Sequence, residues 1–155
     1  MRVLITGVSG TGKSSLVLEL RRRGFVAYDA DDDGLTEPKG DGTWAWRIER
    51  IRSVLDDQHA DLLFLAGCSE EQSRFRFDYT VLLTAPDDVI VERLRTRTSN
   101  PFGRAPAERR RVLDDKSWVE PLLRRVADLT VETAIPTADV ADAVLGAIGQ
   151  PPHRG

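Results

Sequence analysis

An α/β fold, a parallel sheet held between two helical layers, is predicted by three observations. Strand-like and helix-like segments alternate along the chain. One internal run, Leu62-Leu63-Phe64-Leu65-Ala66, is apolar throughout, and a glycine-rich loop joins the first strand to the first helix. Alternation implies parallel strands joined by right-handed crossovers, and an uninterrupted apolar run is what a strand covered on both faces requires. Val3-Leu4-Ile5 supplies the first strand. From Ser14 to Arg23, Leu16, Val17 and Leu20 form a helical stripe, arginines gather near the C-terminal end, and Gly24 stops the helix. Phe25-Val26-Ala27-Tyr28 reads as a short strand. The segment Asp29 to Gly42 is too rich in Asp, Gly and Pro for a core element, and Thr43 suits the N-cap of a helix running to about Asp57. The apolar run at 62–66 is the third strand, closed by Gly67, and Tyr79-Thr80-Val81-Leu82-Leu83 is the fourth. Ala85 to Arg97 is a helix with Pro86 near its first turn, followed by a polar loop from Thr98 to Pro106. Ala107 to Val126 is helical, but Pro121 predicts a break and therefore two helices. Leu129-Thr130-Val131 is the fifth strand and Thr137 to Ile148 the closing helix. Residues 1-149 are thus expected to form one domain, and residues 150-155 a disordered tail.

The loop carries the chemistry. Gly7-Val8-Ser9-Gly10-Thr11-Gly12-Lys13-Ser14 fits G-x-x-x-x-G-K-[ST], and its position between a strand and a helix is the context that pattern requires. Its glycines allow backbone amides to surround phosphate oxygens, and the following helix aims its unpaired N–H groups and positive dipole end at the same point. Lys13 adds a mobile charge for the outer phosphates, and the Ser14 hydroxyl suits a bridging Mg²⁺. The nucleotide-contacting set is Gly7, Ser9, Gly10, Thr11, Gly12, Lys13, Ser14 and Ser15, with ATP and Mg²⁺ as the expected cofactors.

Composition excludes other classes. A chain of 155 residues forms one adequate core, and a formal charge of -3 with arginines dispersed among acidic residues disfavours a nucleic-acid partner. The single cysteine, Cys68, precludes an intramolecular disulfide and a Cys-rich zinc site. No apolar run approaches about 20 residues, so no membrane span is expected. The N-terminus lacks a signal-peptide pattern, and a cytoplasmic protein, monomer or homodimer, is the expectation.

Tyr28-Asp29-Ala30-Asp31-Asp32-Asp33 places four carboxylates at the carboxyl end of the second strand, the edge at which open α/β sheets bind ligands. Asp29 suits Mg²⁺ support and Asp31 the orientation or deprotonation of an acceptor hydroxyl. Two apart on an extended segment, they share a side; Asp32 and Asp33 read as solvated. The third strand ends in Leu65-Ala66-Gly67-Cys68, without the acidic residue of motor-type and switch-type NTPases, as befits a small kinase. Gly67 would give close backbone approach to the acceptor. Arg93, Arg95, Arg97 and Arg104 straddle the polar loop, and Arg97 and Arg104, which border it, are favoured for closing over the triphosphate. Trp44 and Trp46 could stack a planar acceptor or pack in the core, whereas Trp118 reads as core or hinge packing.

The loop, Tyr28-Asp29-Ala30-Asp31, Trp46-Arg47-Ile48-Glu49, Gly67 and Glu120-Pro121-Leu122-Leu123-Arg124-Arg125-Val126-Ala127-Asp128 together resemble the shikimate-kinase-like branch of the P-loop kinases. That group is related to nucleoside monophosphate kinases and gluconate kinases. The resemblance implies a five-stranded sheet of order 2-3-1-4-5 with a small mobile lid, and transfer of the γ-phosphoryl of ATP to a small acceptor. By the same resemblance Asp29 supports Mg²⁺, Asp31 contacts the reacting hydroxyl and Arg47 binds the acceptor. Asn100 and Val119 stand where shikimate kinases carry arginines. Losing two charge-assisted contacts, each worth roughly 1.5–3 kcal/mol, disfavours a shikimate-type carboxylate. Arg104 would take over the lid function.

The sequence therefore predicts a phosphotransferase with Lys13, Asp31 and Arg104 catalytic, Arg97 on the nucleotide, Asp31, Trp46, Arg47 and Gly67 on the acceptor, and Ser14 and Asp29 on the metal. The alternatives are a nucleoside monophosphate kinase, and a nucleotide-binding regulatory or accessory NTPase.

Overall fold

The computed structural model describes residues 1–98 and 100–150; the expected tail beyond Gln150 lies outside the described residues. Five parallel strands form the main sheet: β1 (Arg2–Thr6), β2 (Val26–Asp29), β5 (Leu63–Ala66), β6 (Tyr79–Thr84) and β7 (Leu129–Glu132), in the order β2-β5-β1-β6-β7. Counting only these strands, that is the 2-3-1-4-5 order. In the centre, Ile5 pairs with Ala66 on one side and Val81 on the other. The chain leaves β1 between two strands reached by crossovers in opposite directions, a switch point that opens a crevice at the carboxyl edge.

The pleat of β1 divides the core. Val3 and Ile5 face α1 (Lys13–Arg22) and α5 (Thr137–Ala147), packing with Leu16, Leu20, Phe64, Val144 and Leu145. Leu4 faces the opposite layer with Leu63, Leu65, Trp46 and Ile51, the last from α2 (Ile48–Leu55). A third cluster joins Val8 of the loop to Ile90 and Leu94 of α3 (Asp87–Thr96) and Val112 of α4 (Pro106–Val126). The glycine-rich loop thus rests on the helices that flank the polar segment.

Two expectations are corrected. The helix expected from Thr43 starts only at Ile48, because Trp44–Trp46 (β4) pairs antiparallel with Thr36–Pro38 (β3), Thr36 opposite Trp46. Burying one face of this short hairpin through Trp46 outweighs the local capping signal. Nor does Pro121 divide α4, a single helix of 21 residues. Pro121 lies on its exposed side, where water can satisfy the carbonyl that a proline leaves unpaired. Among the described residues, no helix is long and apolar enough to cross a membrane.

Candidate active site

The loop's backbone is fixed from behind. Gly7 has φ +148, and a Cβ there would lie 2.5 Å from the Leu83 carbonyl oxygen, so no other residue fits. The Thr11 hydroxyl donates to Val8 O at 2.8 Å. The Thr133 hydroxyl, just past β7, donates to Thr11 O at 2.6 Å and accepts from Arg93 Nη1 at 2.9 Å, and that same nitrogen reaches Gly10 O at 3.3 Å. Among the described residues, no protein acceptor takes the amide N–H groups of residues 9–14. Free amides gathered at a helix N-terminus make an anion site.

Lys13 Nζ donates to Gly7 O at 2.5 Å and Val8 O at 2.9 Å. Its side chain keeps some solvent exposure, yet the ammonium lies deep among protein atoms. Desolvation pulls its pKa below the ordinary lysine value, opposed by Cys68, Asp31 and Asp29. Ser14 and Ser15 open α1 on the exposed rim of the cleft, and the Ser14 hydroxyl donates to Asp29 Oδ2 at 2.5 Å. Asp29, buried at the end of β2, uses Oδ1 to accept the amides of Asp31 at 3.0 Å and Asp32 at 3.2 Å. Asp31 therefore lies in the turn that follows the strand, not on an extended segment, although both carboxylates line the same cleft.

That cleft has a volume of about 360 Å³ and brings together Ser9, Lys13, Ser14, Asp29, Asp31 and Arg97. Asp31 is open to solvent on one side but crowded within the concavity, and desolvation, with the neighbouring Asp29, raises its pKa despite Lys13 and Arg97. Asp32, expected to be merely solvated, also lines the cleft, its pKa raised by desolvation and by Asp29, Asp31 and Asp33. Asp33 instead pairs with Arg21 at 2.5 Å. Arg97 Nη1 approaches Ser9 Oγ at 3.4 Å while Nη2 donates to Phe102 O at 2.6 Å, so one guanidinium ties the polar segment to the loop.

Five of the residues singled out on sequence stand elsewhere. Arg104 does not line the cleft; its Nη2 donates to Arg97 O at 3.2 Å, and Arg97 holds the position that Arg104 was expected to take. Trp46 is buried at 3% exposure, its ring against Gly67, where a Cβ would come within 2.9 Å of Trp46 Cζ2. Gly67 thus makes room for a core indole. Arg47 donates through Nε to Thr36 O at 2.8 Å, bracing the β3–β4 hairpin. None of these three lines the cleft. Trp118 is 79% exposed, in neither a core nor a hinge. Sequence reasoning missed Thr133, Thr137 and Asn100 as cleft residues and Arg93 as a brace of the loop; single polar residues far from the motif carry no local signal.

Comparison with known proteins agrees with this architecture. Shikimate kinase from Acinetobacter baumannii, solved with shikimate, is 18% identical, with 95% of this chain and 92% of that one covered at a TM-score of 0.64. For deoxyadenosine kinase from M. mycoides with bound dATP the values are 12%, 97%, 100% and 0.63, and for a gluconokinase from Sinorhizobium meliloti 1021 they are 19%, 95%, 90% and 0.56. At such identities the likeness shows the fold. In sequence, a protein of Acidobacterium capsulatum described as "Nucleotide-binding protein" is 32% identical over 85% of this chain. A protein of Ruminiclostridium cellulolyticum with the same description is 35% identical over 64%. The chain spans 44% and 36% of the lengths of these two relatives. The profile described as "AAA domain" matches residues 3–114, which include the loop, the acidic turn, Arg93 and Arg97. The chain belongs to the AAA domain family.

Proposed function

We propose that the protein is an ATP- and Mg²⁺-dependent phosphotransferase that moves the γ-phosphoryl group to a hydroxyl of a small molecule other than shikimate. The observation that carries this reading is one cleft that brings together an amide-lined anion cradle, Lys13 and the carboxylate of Asp31. The loop amides and Lys13 bind the phosphates, Arg97 closes on them from the polar segment, and Asp31 orients the acceptor hydroxyl and takes its proton. The acceptor oxygen forms its bond to the γ-phosphorus as the bond to the β–γ bridging oxygen breaks, releasing ADP.

The Ser14 hydroxyl and Asp29 carboxylate, 2.5 Å apart beside the cradle, are a hard-oxygen pair of the kind Mg²⁺ takes together with phosphate oxygens and water. Among the described residues, no group of three or more His, Cys, Asp or Glu forms a metal cage, and such a bridging ion needs none. Bound there, Mg²⁺ would neutralise charge on the β- and γ-phosphates. The dispersed charge and net -3 support a small-molecule acceptor over nucleic acid, and we place the reaction in the cytoplasm.

Release of ADP, measured across a panel of sugars, polyols, nucleosides and nucleoside monophosphates, tests the proposal. Stimulation by a sugar, polyol or nucleoside is expected, whereas stimulation by a nucleoside monophosphate with a diphosphate product would select the nucleoside monophosphate kinase instead, whose acceptor is a phosphate oxygen. No stimulation by any class would overturn it. A second reading, a regulatory or accessory NTPase, is favoured by the bare description of the two relatives as nucleotide-binding proteins. Hydrolysis indifferent to metabolites but accelerated by a protein partner would select that reading.

A further inference from the structure

Helix α4 has two unlike faces. Inward, the Thr84 hydroxyl donates to Glu120, Arg124 reaches Glu120 at 3.1 Å, and Lys116 pairs with Asp87 at 2.7 Å and donates to Ala85 O at 2.8 Å. Outward, Trp118, Leu122 and Val126 follow one another at intervals of four residues, exposed by 79%, 60% and 65%. Side chains four apart on a helix are neighbours, so these three form one apolar stripe. A tryptophan and a leucine side by side in water on a regular helix are the anchors an interface uses.

The charges beside the stripe indicate its occupant. Asp114 and Asp115 lie one turn before Trp118 and Arg125 one turn after Leu122, all exposed. Among the described residues, none of these three side chains has an ion pair or hydrogen bond. Acid ahead of the apolar centre and base behind it form a self-complementary order. A two-fold axis beside residue 120 runs the helix of a second copy antiparallel. It sets Trp118 of each copy on Leu122 of the other and brings Arg125 of each to the Asp114–Asp115 pair of the other. A parallel arrangement would oppose like charges. We propose that the outer face of α4 is an isologous homodimer interface, with an apolar centre formed by Trp118 and Leu122 and a flanking ion pair between Arg125 and Asp114–Asp115. The inference is independent of the reaction assigned to the cleft.

Sedimentation velocity of the 155-residue chain over a concentration series tests it, thermal melts confirming that each variant stays folded. A reversible monomer–dimer equilibrium is expected for the wild type. Trp118→Glu should abolish it, and Arg125→Asp should raise the dissociation constant about tenfold or more. Asp114→Arg/Asp115→Arg should also weaken self-association, yet a mixture of that variant with Arg125→Asp should form heterodimers, because each then supplies the charge the other lacks. The proposal is overturned if the wild type stays monomeric throughout, as it would if another partner covers the stripe. It is equally overturned by a dimer indifferent to Trp118→Glu or by failure of the charge-swapped pair to associate.

Discussion

The two sides of the cleft were built in different ways. On the phosphate side, residues 7–15 form one continuous loop-to-helix segment, of which Ser9, Gly10, Gly12, Lys13, Ser14 and Ser15 line the cleft, while Gly7 packs against Leu83 and Thr11 is buried. Of the four residues assigned to the acceptor, Trp46, Arg47 and Gly67 hold the hairpin and the core and Asp31 lines the cleft, joined there by Asp32 and Asn100. A site made by backbone can be written in eight consecutive residues. One assembled from loops that meet only in the folded chain cannot.

The sharpest test of that division is Lys13→Ala, which removes a charge without touching the core. Phosphoryl transfer should fall by about a hundred- to a thousandfold while the thermal midpoint stays close to wild type, measured by single-turnover kinetics and calorimetry. Next, Asp31→Asn should lower transfer about a hundredfold with little change in ATP affinity. Asp31 must be deprotonated to accept a proton, so wild-type activity rises with pH through its pKa. Burial and Asp29 put that limb above the ordinary aspartate range, and it should vanish in the Asn variant.

Arg97→Ala and Arg104→Ala compare two arginines a short loop apart. The former should reduce kcat about tenfold or more, and the latter should alter it little, since Arg104 is exposed and outside the cleft. The reverse ranking would restore Arg104 to the catalytic role given it on sequence. The smallest catalytic effect is expected of Gly67→Ala. A Cβ against Trp46 and Ala30 should destabilise the fold by about 1–3 kcal/mol in urea unfolding while leaving ATP affinity unchanged. An unchanged stability with a raised acceptor KM would instead make Gly67 an acceptor contact.

The placement of the five strands of the main sheet and of α1 was legible because each rests on a local pattern: Leu63–Ala66 is apolar at every position, and Gly24 stops α1. The order of the sheet came from the resemblance to the P-loop kinases, since no local pattern encodes which strands are neighbours. The β3–β4 hairpin was not legible, because strands of three residues are too short for alternation to register and exist through their pairing with each other. Continuity of α4 through Pro121 depends on which side of the helix the proline occupies, and that is decided by packing against β6 and α3. The brace of the loop joins Arg93 to Thr133, forty residues apart, by a contact that no spacing rule encodes.

That brace has a consequence for the sign of what the loop can hold. Every peptide unit has a positive edge and a negative edge, and a loop of glycines could turn either toward a ligand. Here the carbonyls of Gly7, Val8, Gly10 and Thr11 are each engaged, by Lys13, Thr11, Arg93 and Thr133. Their planes are therefore set with the negative edge committed to the protein and the positive edge left over. Were Thr133 unable to donate, the Thr11 peptide would be free to rotate, and part of the cradle would offer oxygen instead of hydrogen. A hydroxyl far along the chain from the motif thus helps determine that the loop attracts anions and repels cations.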